Sequence, residues 1–114
     1  MKGSIIADLL SFDSYVMLNL TLVRKLGGLD EAALLCYLIT KYNLWYKKDQ
    51  LKDSEWFYAT IESIQNDLLI LEKMQRRIIK ELEGKKLLRT KMQGTPMKKY
   101  FAINFDNVTK LFEQ

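Results

Sequence analysis

Hydrophobic and polar positions recur along the chain with two periods, and the changes of period divide it into elements. Ile5, Ile6, Leu9 and Leu10 fit one face of a short helix, and Tyr15, Val16, Met17 and Leu18 fit a short extended piece. Asn19 then stands as an N-cap, and Gly27 as the residue beyond the end of a helix over Leu20–Leu26. Past two glycines, Asp30 is the expected cap of a longer helix with Glu31 in its first turn; Leu35, Leu38, Tyr42 and Trp45 recur there at helical spacing beside Leu34, Cys36 and Ile39. Residues 47–55 are charged and without period, which reads as a surface loop. Trp56, Phe57 and Tyr58 form a β-prone piece, and Thr60 caps a helix that buries Ile61, Ile64 and Leu68. A further helix ends at Gly84, residues 87–92 and 99–103 are strands joined by Gln93, Gly94, Thr95 and Pro96, and Asp106 caps a last helix through Glu113. Leu35, Leu38, Trp45, Ile64, Ile78 and Leu82 are expected to converge on one core.

These elements predict a mainly α fold with a small antiparallel β-sheet, in the order of a winged helix-turn-helix. The chain of 114 residues reads as a single domain, with a core over residues 19–104, an N-terminal extension over 1–18 and a C-terminal helix over 105–114. That length can bury roughly two-thirds of the unfolded surface. The run Leu68, Leu69, Ile70, Leu71 is unusually apolar for the turn between two such helices. Either it is buried deeply or part of it faces a partner chain.

On a wheel of about 100° per residue, Lys73, Arg76, Arg77 and Lys80 fall on one stripe of the helix before Gly84, with Leu71, Met74, Ile78 and Leu82 roughly opposite. The charge of +4 is unevenly spread: residues 1–71 carry 7 basic and 9 acidic groups, whereas residues 72–114 carry 11 and 5. The two strands repeat the sign with Arg89, Lys91, Lys98 and Lys99. A cationic helix followed by a cationic hairpin fits a polyanion. Tyr37, Tyr42, Trp45 and Tyr46 follow the apolar face with few basic residues among them, so they read as core and not as a stacking platform.

Other chemistry finds little material. Histidine is absent and Cys36 is alone, which leaves no disulfide within the chain, no zinc ligand set and no paired nucleophile, and no cofactor is expected. Glu83 and Lys85 form a Glu-x-Lys pair without a nearby acidic cluster, so an enzyme is not expected. The longest apolar run, residues 32–39, is far short of the roughly 18 residues of a membrane span. Neither a membrane partner nor a signal peptide is expected, and the expected compartment is the cytoplasm.

The segments DEAALLCYLITKYNLW, the Trp56 strand, TIESIQNDL, QRRIIKELEGKKLLRTKMQGTP and KKYFAIN resemble, in that order, the N-terminal winged-helix domain of replisome-organiser and DnaD-like replication-initiation proteins of phages and plasmids of Gram-positive bacteria. Leu71 stands where that family usually has a Ser or Thr cap, and Lys86 where a glycine commonly precedes the first wing strand. The resemblance implies a recognition helix carrying Lys73, Arg76, Arg77 and Lys80, a wing carrying or flanked by Lys91, Lys98 and Lys99, and replication proteins as partners. The expected ligand is double-stranded DNA at an origin. A transcriptional regulator of the same fold would need the same features, and a protein-interaction module would use the leucine-rich turn or the last helix instead. Val108, Leu111 and Phe112 share one face of that helix and either pack on the core or join a homodimer.

Overall fold

The computed structural model describes residues 16–113. The expected helix at Ile5 to Leu10 lies outside them, as does Tyr15, and residues 16–19 form no regular element. Asn19 caps α1 (Leu20–Leu26), its Oδ1 accepting the Leu22 N–H at 3.1 Å. Gly27 ends the helix at φ 81°, a left-handed conformation that costs glycine little.

Helix α2 (Leu29–Lys47) begins earlier than its carboxylates suggest. Gly28 is the N-cap, and Asp30, the expected cap, lies with Glu31 inside the first turn, where both still meet the positive end of the helix dipole. The first half of α2 is buried nearly all round, at Ala32, Leu34, Leu35, Cys36, Tyr37 and Leu38, because α1, the helix Glu72–Gly84 and the strands Phe57–Tyr58 and Lys98–Ile103 pack around it. Tyr42 and Trp45 are only half-buried, at the edge of the same core.

Strand β1 (Phe57–Tyr58) leads to Thr60, which exchanges hydrogen bonds with Ser63 in a capping box at the start of α3 (Ile61–Leu68). Leu69 turns the chain at φ 58°, and α4 (Glu72–Gly84) follows. Gly84 does not make the left-handed turn that ends α4. Lys86 does, at φ 60°, while its N–H reaches Glu83 O and the Leu87 N–H reaches Leu82 O, the paired bonds of a Schellman motif. Leu82 and Leu87 are both buried and supply its apolar contact.

Strands β2 (Leu88–Gln93) and β3 (Lys98–Ile103) form an antiparallel hairpin, and β1 pairs with the far edge of β3, giving the order β1-β3-β2. Helix α5 (Phe105–Glu113) is capped by Asn104, whose Oδ1 accepts the Asn107 N–H at 3.0 Å. Asp106, the expected cap, lies inside the first turn. Asn104 wins because its own N–H is held by Leu87 O at 2.9 Å, which fixes where strand ends and helix begins.

Leu35, Leu38, Ile64, Ile78 and Leu82 share one buried cluster with Phe57 and Phe101, and Trp45 packs half-buried against it. Val108 and Leu111 of α5 pack on this core, whereas Phe112 is exposed. Among the described residues, no helix is long and apolar enough to cross a membrane.

Candidate nucleic-acid interface

Helix α4 buries Gln75, Ile78, Ile79 and Leu82. Leu71 and Met74, expected on the buried side, are exposed. The arc is rotated because Gln75 occupies its centre. Its side chain is fully buried, and its Nε2 donates to Ile70 O at 2.8 Å and to Ile61 O at 3.1 Å, so it closes the α3–α4 turn. Burial without those bonds would cost more than it returns; the Gln75 Oε1 has no hydrogen-bond partner among the described residues.

With that arc inward, the middle of the outer face is held by Lys73 and Lys80, both exposed. Arg76 and Arg77 flank this crest and are tied to carboxylates. Arg76 Nη2 lies 2.5 Å from Glu72 Oε2, one turn back, and Arg77 Nη1 lies 2.5 Å from Glu81 Oε1, one turn on. Arg77 also reaches Glu31 of α2 at 3.5 Å, bridging the two helices. Exposed pairs of this kind are worth about 0–1 kcal/mol each, so a phosphate can displace the carboxylate.

The turn before α4 is not deeply buried. Ile70 enters the core, but Leu69 is 82% and Leu71 64% exposed, and Leu71 offers α4 no side-chain cap. Tyr37 of α2 donates its Oη–H to Asp67 Oδ2 of α3 at 2.5 Å. Burial first, and then this bond and the carboxylate's charge, push the Tyr37 hydroxyl well above the ordinary phenol range.

The hairpin cations separate by strand parity. Cross-strand partners Leu88–Ile103 and Thr90–Phe101 place one set of residues on the core side, and Arg89–Ala102, Lys91–Tyr100 and Gln93–Lys98 place the other on the outer side. Tyr58, opposite Tyr100, joins the outer set, and Trp56, Tyr100 and Ala102 form a second small apolar cluster there, with Tyr58 packed against it. Cations cover it: Arg89 and Lys91 lie 5.0 and 4.2 Å from the Trp56 ring centroid, Lys98 4.3 Å from that of Tyr58, and Lys52 4.9 Å from that of Tyr100. Each such contact is worth about 0.5–1 kcal/mol at an exposed site. Arg89 also pairs with Glu55. Lys99 has the other parity, opposite Met92, and sits half-buried at the rim of the core side.

The expected contacts therefore fall into three groups: Lys73, Arg76, Arg77 and Lys80 on α4; Arg89, Lys91 and Lys98 on the outer face of the sheet; and Lys99 apart from both. The aromatic ground under the second group, with Lys52, is absent from the periodicity reading. Its signal was the two-residue alternation of Trp56 with Tyr58 and of Lys98 with Tyr100. Among the described residues, no group of three His, Cys, Asp or Glu side chains could hold a metal, Cys36 is buried, and Glu83 accepts a hydrogen bond from Thr90 at 3.0 Å. No family model, curated protein or solved structure matches the chain.

Proposed function

We propose that the protein binds double-stranded DNA as a winged helix-turn-helix, with α4 in the major groove. The element order, the β1-β3-β2 sheet and the short turn from α3 into α4 are compatible with that architecture. The observation that carries the reading is the crest of α4: a buried side locked by Gln75, Ile78 and Leu82 holds Lys73 and Lys80 outward and exposed. Phosphates bind the lysines, and Arg76 or Arg77, released from Glu72 or Glu81, is the group able to read a guanine edge. Replication initiation is the biological setting implied by the family resemblance alone; a regulator would use the same surface, and the position of the DNA site, at an origin or a promoter, separates the two.

If the α4 cations engage roughly four phosphates, log K for a duplex falls with log salt at a slope of about −3.6. Together, Lys73→Ala and Lys80→Ala should weaken all sequences alike and flatten that slope by about 1.8. Removing Arg76 and Arg77 should in addition relax base preference. Duplex affinity unchanged in both double variants would sink the assignment of α4.

A second reading is favoured by the exposure of Leu69 and Leu71 beside Met74: an apolar knuckle that docks on a partner protein. It predicts no duplex binding at low salt.

A further inference from the structure

We infer that the outer face of the sheet is a separate site for single-stranded nucleic acid, in which Arg89, Lys91, Lys98 and Lys52 hold phosphates and Trp56 and Tyr58 take bases. This does not rest on the duplex reading, because its residues lie on β1, β2, β3 and the loop before them, not on α4.

Three observations carry it. The first is the sign of the charge. A solvated cover for Trp56, Tyr58 and Tyr100 needs only long side chains with polar ends, of either charge. Here Lys52, Arg89, Lys91 and Lys98 hold four cationic heads over those rings, and the carboxylate of Glu55 pairs with Arg89. Like charges gathered on one face repel one another, and a polyanion removes the repulsion.

The second is spacing. Arg89 and Lys91 are alternate residues of one strand, about 6.8 Å apart along it, which is comparable to the step between successive phosphates of an extended single strand. Lys98 lies across from Gln93 on the neighbouring strand, so the cations form a track and not a point.

The third is the ground beneath them. Trp56 and Tyr58 sit side by side at the β1 edge, and Trp45 packs edge-on against Tyr58 at 5.1 Å, which holds that ring in place. A stacking platform under a cationic track is the arrangement by which sheet surfaces bind single strands without reading sequence. Trp56 is only 9% exposed, under Arg89 and Lys91, and Tyr58 is half-buried under Lys98; as phosphates draw these cations off the rings, the two rings become available to bases. A duplex, with its bases already stacked, gains nothing from them.

The test uses the whole chain and a labelled oligothymidylate about 15 nucleotides long, titrated at about 50 mM salt and read by anisotropy and tryptophan emission. Binding with quenching of Trp56 is expected, the quench disappearing in Trp56→Phe. Lys91→Glu with Lys98→Glu should weaken binding by about tenfold or more while leaving the circular dichroism spectrum in place, and Lys91→Gln with Lys98→Gln should weaken it less. Glu55→Gln, which frees Arg89, should tighten it. The α4 variants Lys73→Ala and Lys80→Ala should bind the oligonucleotide like the wild type, so a failure of the duplex reading leaves this one standing. An oligouridylate arm separates RNA from DNA as the natural strand. Absence of binding, binding without a Trp56 quench, or full affinity in the folded Lys91→Glu, Lys98→Glu variant would each overturn the proposal.

Discussion

Lys86 holds a backbone conformation that suits glycine, at φ 60°, because the Schellman bonds to Glu83 O and Leu82 O leave the chain no other way out of α4. A side chain in that region costs about 1 kcal/mol, so Lys86→Gly should raise the unfolding free energy by about that amount, seen as a higher urea midpoint at unchanged m. Tyr37 makes a pH prediction. Its hydroxyl stays neutral in the folded state above the ordinary value of 10.0 because it is buried and donates to Asp67. Above about pH 10 the unfolded chain therefore binds fewer protons than the folded one, and stability falls as pH rises; below that value the contribution is fully present. In Tyr37→Phe the alkaline loss should be shallower, measured by denaturant melts on either side of pH 10. Caps such as Asn19 and Thr60 were legible because their hydrogen bonds close within a few residues. Asp30 and Asp106 misled because competing positions, Gly28 and Asn104, lie within one turn, and for Asn104 the decision is made by a distant carbonyl, Leu87 O.

Among the elements, α4 shows what periodicity misses. Its apolar residues alone place Leu71 and Met74 with Ile78 and Leu82, but the true arc centres on a glutamine, because the carbonyls of Ile61 and Ile70 need a donor that no pattern of hydrophobicity records. Gln75→Leu should cost about 1–2 kcal/mol, since two carbonyls lose their donor while the unpartnered Oε1 is removed. Ile78→Asp places an unpaired carboxylate in the core and should abolish cooperative folding; a cooperatively unfolding Ile78→Asp variant would contradict the assigned face. The outer face of the sheet failed to read for another reason, although its strands were expected. Strand β1 has only Phe57 and Tyr58, too short for an alternation to stand out, and the outer face exists only once Tyr58 is set against Tyr100.

At the scale of the whole molecule, α5 closes the fold. Asn107 Nδ2 donates to Lys86 O at 2.8 Å, Val108 enters the core, and Phe112 remains exposed beside an open cleft of about 360 Å³ that Met17, Leu22 and Ile39 also line. A homodimer through this end predicts a concentration-dependent sedimentation coefficient at tens of micromolar, lost in Phe112→Glu; a strict monomer in the wild type removes the idea. The strand order has its own consequence for the life of the protein in a crowded solution. With β3 in the middle, β1 and β2 each present an open row of backbone donors and acceptors, an invitation for other chains to add as further strands. The β1 flank is only two residues long, and the β2 flank bears Arg89 and Lys91, whose charges make an approaching copy of the same edge unwelcome. Neutralising both of those side chains would remove a guard against fibrous self-assembly, and the loss would appear first as slow turbidity on storage, long before any change in the melting temperature.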